Sequence, residues 1–222
     1  VTARGTGGEL VLHVDGALPV TAASVETVEA LCDAADDDTG PGIVTLHVSG
    51  VPAGDWTGGL TVGLVSKWER ALRRLERLGR LTVAVASGDC GGAALDALLA
   101  ADVRVAAPGT RLLFALDGEA TWPGMALYRA TQQAGTARIR RAALLGVPIE
   151  ADEAPALGLV DEVAADPHAV LADVAGRAAV LSGRELAIRR QLMFEAAATA
   201  YEDALGAHLA ACDRALRRRS TG

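Results

Sequence analysis

The sequence predicts an α/β protein built around a parallel sheet. Short β-branched runs alternate with longer stretches of helical spacing, the pattern of strands joined by right-handed crossovers. No repeat and no low-complexity linker interrupts that order. The last part of the chain is helical almost throughout, too long for one more crossover. It must cover the core or reach another subunit.

The elements follow in order. Glu9 to Gly16, ELVLHVDG, alternates apolar and polar residues and predicts a strand. Thr21 to Asp36 has helical spacing, with Thr21 or Ser24 as N-cap. Gly42 to Gly50, GIVTLHVSG, is a second strand bounded by glycines. The loop VPAGDWTGG leads into an amphipathic helix from Leu60 to Gly79, with the glycine as its stop. RLTVAVASG predicts a third strand, and GGAALDALLAAD a helix rich in strong formers. Two short strands flank Pro108-Gly109 in VRVAAPGTRLLFAL. Helical segments are expected over Pro123–Gly135 and Thr136–Leu145, then a helical turn and a strand at Leu159–Val163. Asp166 to Arg219 predicts helix with a break at Gly183. The organisation expected is a core over residues 1–165 and a helical region over 166–222.

Composition narrows the function. The chain has 222 residues, half of them apolar, so a sizeable core is available. Aromatics are only 3%, which leaves the packing to Ala, Val and Leu. No apolar run approaches the roughly eighteen residues of a membrane span. No charged-then-apolar leader opens the chain, and Val1-Thr2-Ala3 has the look of a trimmed or processed end. A net charge of −7 argues against a nucleic-acid partner, and Arg217-Arg218-Arg219 reads as a solvated helix end. Cys32, Cys90 and Cys212 are too widely spaced for a disulfide framework or a zinc site, and fit a reducing cytoplasm.

One pentapeptide raises a question of chemistry. Gly88-Asp89-Cys90-Gly91-Gly92 looks like the nucleophile loop of chymotrypsin-type proteases with cysteine for serine. Those enzymes are antiparallel barrels, whereas this string follows a strand and opens a helix. A cysteine nucleophile also needs a histidine base, and nothing pairs His13, His47, His168 or His208 with Cys90. A small buried side chain is the competing role for Cys90. A glycine-rich turn into a helix does offer unpaired backbone N–H groups to an oxyanion. Gly54 to Leu60, GDWTGGL, repeats that arrangement, so two loops can aim two N–H groups at one carbonyl oxygen.

At these residues the sequence resembles the crotonase (enoyl-CoA hydratase/isomerase) superfamily, from about Glu9 to Arg219. GIVTLHVSG…GDWTGG is similar to the family's first oxyanion loop. LTVAVASGDCGGAALDALLAADVRVAAPGTRL is similar to its second loop and helix, including the acid–x–Arg step at Asp102 to Arg104. TWPG resembles the Ile-Pro-Gly turn, and AALLGVPIEADEAPALGLVDEV carries the most specific match. The resemblance implies a ClpP/crotonase-like spiral of β-β-α units with a C-terminal helical region. It implies an acyl-CoA thioester as substrate and no further cofactor.

Carried over by position, the oxyanion donors are the N–H groups of Gly58 and Ala93. An ordinary turn glycine and an ordinary first-turn residue are their competing roles. The family's first catalytic acid, three residues after the second donor, falls on Asp96. Burial would raise its pKa and suit it to proton transfer; a place on an exposed stripe is the alternative. The second acid falls on Leu116, which moves no proton; Asp117 and Glu119 lie nearby, Glu119 is the candidate substitute if the loop is shifted, and a solvated loop acid is the competing role of each. The Arg-Pro…Asn-Ala-Leu stretch that seats CoA in members is replaced by DGALPVT.

Among members, the chain most resembles the hydratase-like proteins of 3,5-dihydroxyphenylglycine biosynthesis. There a polyketide synthase product is dehydrated and aromatised as a CoA thioester. A catalytically degenerate partner or scaffold for the synthase, or for a sister hydratase, is the alternative. The resemblance also implies a homotrimer, often paired into a hexamer. Leu181, Leu186, Ile188, Leu192, Met193 and Phe194 would supply apolar surface for that contact or cover the protomer's own core.

Overall fold

A computed structural model describes residues 1–6, 9–38, 40, 42–179 and 183–220; Leu181 lies outside them. Among the described residues, eight strands form one sheet with the path β1 (Thr2–Thr6), β2 (Glu9–Asp15), β3 (Ile43–Gly50), β4 (Leu81–Gly91), β5 (Val103–Ala106), β8 (Glu162–Val163). The pairs from β2 to β8 along this path are parallel, as the alternation of strand and helix predicts. β1, which the sequence reading missed, pairs antiparallel with β2. Helices pack on this mixed sheet, and a run of helices follows it at the C-terminal end.

The crossovers are helical. α1 (Ala22–Asp37) is capped by Thr21; Ser24 is its reciprocal partner in a capping box, so both candidate caps take part. α2 (Val62–Leu75) is capped by Thr61 and stops short of Gly79. Its last turn tightens, with the N–H groups of Arg77 and Leu78 bonding to the carbonyls of Arg74 and Leu75. α3 (Ala93–Ala100) is buried almost throughout and sits on β2, β3 and β4. α4 (Met125–Ala134) and α5 (Thr136–Leu145) meet at Gly135.

Two departures from the sequence reading position the site. The expected glycine loop after the third strand is strand: β4 continues through Asp89-Cys90-Gly91. Its first half pairs with β3 and β5, and its last three residues pair with β6 (Arg111–Leu113). Gly88, at φ +62°, turns the strand between the two partnerships. β6 in turn pairs antiparallel with β7 (Ile149–Glu150), a strand the sequence reading did not contain.

The C-terminal region joins the core at two places. α6 (Pro167–Ala178) lays Val170, Leu171 and Val174 against Val83, Val85 and Val105. α7 (Gly183–Ala196) begins at the predicted break and is anchored by Arg190. That guanidinium is buried and donates to both Asp102 carboxylate oxygens at 2.6 Å and to the carbonyls of Leu78 and Arg80. α8 (Tyr201–Ser220) packs on α7. No helix among the described residues is long and apolar enough to cross a membrane.

Candidate active site

The ends of β2, β3 and β4 come together through backbone. A Cβ on Gly16 would stand 2.2 Å from the Gly91 carbonyl oxygen and 2.4 Å from that of Gly50. A Cβ on Gly91 would meet Val51 at 2.7 Å, and one on Gly92 would meet Pro52 at 2.9 Å. Only glycine permits this approach. Val51 and Pro52 lead into the first predicted loop, while Gly91 and Gly92 open the second. The two loops therefore share a base.

Ala93 is the first residue of α3, buried, and follows Gly92 at φ +53°. The Asp96 N–H bonds back to the Gly92 carbonyl at 3.0 Å, and no side chain caps the helix start. Gly58 lies exposed in the Trp56–Gly59 turn, and a Cβ there would meet the Asp55 carboxylate at 2.9 Å. A cavity of about 530 Å³ opens between the 17–22 turn and the 53–64 segment, with Pro19, Val20, Ala53, Trp56, Gly59 and Leu64 among its walls.

Asp96 is partly buried in the first turn of α3, and the buried Trp68 indole N–H of α2 donates to its Oδ2 at 3.2 Å. Burial pushes its carboxyl up to about 7, and the neighbouring Glu69 charge adds to the rise. Arg129, the Trp68 N–H and the Ala126 backbone N–H oppose it. The stripe-facing alternative for Asp96 is therefore not what the fold builds.

A charge cluster missed by the sequence reading lies behind it. Arg129 of α4 is buried and donates to Glu76 Oε1 at 2.5 Å and Glu69 Oε2 at 2.9 Å. Arg73 adds a contact to Glu76 at 2.6 Å. Burial raises the Glu69 pKa despite Arg129. The available signal was Arg129 itself, a cation set among small and apolar residues in MALYRATQQA.

Leu116, at the second acid position, is 52% exposed. Its carbonyl accepts from the Trp56 indole at 2.6 Å, and Trp56 packs edge-on to Trp122 at 5.3 Å. The first loop is thereby tied to the 115–122 segment. Asp117 is used within that segment, accepting from the Ala120 N–H at 3.2 Å, and Glu119 lies exposed at its tip.

Cys90 is fully buried in β4, and burial pushes its thiol far up, with the Asp96 charge adding to the rise. The adjacent Asp89 is held by Arg111 in two contacts of 2.7 Å. His13 and His47 stack on each other at 5.0 Å on neighbouring strands. These features match a small buried side chain, not an activated nucleophile.

Residues 61–218 match the family model described as enoyl-CoA hydratase/isomerase, a stretch that includes Ala93, Asp96 and Leu116 but not Gly58. A protein of Amycolatopsis orientalis named enoyl-CoA-hydratase is 66% identical over 214 residues, covering 96% of this chain and 99% of its own length. Among solved structures, an enoyl-CoA hydratase/isomerase from Marinobacter aquaeolei superimposes with a TM-score of 0.83 at 17% identity, over 97% of this chain and 90% of that one. A putative enoyl-CoA hydratase from Thermobifida fusca YX, crystallised in complex with CoA, gives 0.83 at 15% identity over 100% and 94%. At those identities the two structures speak for the fold.

Proposed function

The chain belongs to the enoyl-CoA hydratase/isomerase family, and on that premise we propose that it processes an acyl-CoA thioester in a hydratase-like reaction. In this reading the Gly58 and Ala93 N–H groups receive the thioester oxygen as negative charge builds on it, each lowering the barrier by about 3 kcal/mol. Asp96 moves the proton. As carboxylate it takes a proton from the carbon beside the thioester carbonyl, then passes it to the departing β-hydroxyl, which leaves as water. One carboxyl thus serves as base and then acid, and ends the cycle in its starting state. A group titrating near neutrality is suited to both halves.

The substrate proposed is a polyketide-derived CoA ester of 3,5-dihydroxyphenylglycine biosynthesis, where aromatisation supplies much of the driving force. The protein would work in the cytoplasm beside a polyketide synthase and a sister hydratase, as a homotrimer or hexamer. The observation that carries the reading is Asp96, a carboxyl held near neutrality one turn inside an uncapped helix start. In an assay with the synthase and its partner hydratase, Asp96→Asn is expected to lower product yield at least tenfold, the lower end of what general acid–base catalysis contributes being about a hundredfold. Unchanged yield removes Asp96 from the mechanism.

Leu116 favours a second reading, a catalytically degenerate partner of the synthase or hydratase. It puts an exposed apolar side chain where members carry an acid, and Glu119 stands outside on the same segment. Binding of those partners in pull-down, without calorimetric binding of any CoA thioester, would select it.

A further inference from the structure

We propose that Glu69 is a positioning residue that works through Asp96: paired with Arg129, it sets a carboxylate beside Asp96 and leaves Asp96 as the carboxyl of the cluster that carries the proton. Charge balance makes the argument. Three carboxyls, Glu69, Glu76 and Asp96, gather with two guanidiniums, Arg73 and Arg129. Glu76 has contacts from both guanidiniums, and Glu69 has one from Arg129. The hydrogen bond shown for Asp96 comes from a neutral indole. Arg73 is half-exposed, so Arg129 is the buried cation of the cluster and pairs with both glutamates. Asp96, bonded to a neutral indole, is the carboxyl without a paired cation among the described residues and the one that takes a proton.

The geometry couples the two acids. Trp68 and Glu69 are adjacent on α2, so the residue that donates to Asp96 sets the place of the one that repels it. Arg129 and Ala126 lie three apart on α4, one facing Glu69 and the other offering its N–H to Asp96. From β4, the Cys90 thiol is raised by burial first and by the Asp96 charge second. β2 and β3 also pack on α3, and Leu12, Val14, Leu46 and Val48 join it in one apolar core. The charges acting on Asp96 are therefore Glu69, which pushes its midpoint up, and Arg129, which pulls it down.

This inference rests on the reading of Asp96 as the reacting acid, and its test has a readout that needs no substrate. Carbon-13 carboxyl NMR of aspartate-labelled protein, with Asp96→Asn identifying the signal, gives the midpoint directly. The expected midpoint is about 7 in the unaltered chain. In Glu69→Gln, which keeps a carbonyl acceptor for Arg129, it should fall by about one pH unit or more. Glu69→Asp should restore part of the shift. The acidic limb of kcat should move down by the same amount, whereas a merely structural loss would scale the profile without shifting it. A midpoint below about 5 in the unaltered chain overturns the proposal, whether or not the variants fold. So does an unchanged midpoint in a folded Glu69→Gln protein. A midpoint near neutrality that falls in Glu69→Gln, with no thioester turnover in the unaltered chain, upholds the cluster and sinks the function proposed for it.

Discussion

Asp96 has a cost in stability that can be read as a function of pH. Its folded pKa is about 7, against an ordinary value of 3.8. Below the lower value both states hold the proton and folding bears no penalty. As pH rises, the unfolded chain ionises first, so stability falls until the folded group also ionises near 7. Replacing Asp96 with Asn removes the titration while keeping an acceptor for Trp68. The variant should match the parent at pH 3 to 4 and gain on it up to about pH 7, by roughly 1.4 kcal/mol per unit of residual shift. Urea unfolding at a series of pH values measures this, and a gain that does not depend on pH refutes it. A cost in stability at working pH is a common price of function and fits the proton-transfer role proposed for Asp96. The sequence showed Asp96 as an acid in an apolar helix, but not what surrounds it. Glu69 and Arg129 are 60 positions apart, and on α2 Glu69 looks like any charge of an amphipathic helix.

At the scale of elements, the acid–x–Arg step at Asp102 to Arg104 proves to be a fastening point. Asp102 accepts from the Thr82 N–H at 2.9 Å and the Thr82 hydroxyl at 2.8 Å, and it receives Arg190 from α7. Arg104 reaches Gln133 at 2.7 Å and the carbonyl of Leu159 at 3.2 Å, joining β5 to α4 and to the segment before β8. The motif was legible in sequence; its partner, 88 residues away, was not. Arg190→Ala would take from the largely buried Asp102 the guanidinium that bonds both its oxygens, costing about 3–5 kcal/mol. The expected result is a lower denaturation midpoint with hydrogen exchange accelerated first over Gly183–Ala196. Uniform acceleration throughout the sheet would show that Arg190 does not act through α7. The glycines tell a similar story. Their clustering predicted a turn, yet Gly91 lies in β4, because its task is close approach to Val51 rather than reversal.

The whole molecule leaves one element without a core to rest on. α8 is twenty residues long, and no side chain in it whose burial is described is buried within the protomer. In proteins most of a helix's stability comes from packing an apolar face rather than from propensity. Tyr201, Leu205 and Leu209, four apart, form such a face and are 75%, 40% and 58% exposed. Met193 and Phe194 of α7 add 70% and 46% exposure beside it. Helical periodicity in the sequence found the tail but could not say which surface covers it, since a stripe facing its own core and one facing a second copy have the same spacing. The fold uses Arg190 to hold α7 down and leaves these side chains outward, which favours the second use. Light scattering is expected to give a trimer or hexamer. Leu205→Glu combined with Leu209→Glu should shift it to monomer and speed exchange over Tyr201–Ser220 while the sheet stays protected. A monomeric parent chain at micromolar concentration, with α8 protected all the same, would mean that the helix is stabilised without another copy and that the apolar face has a different purpose.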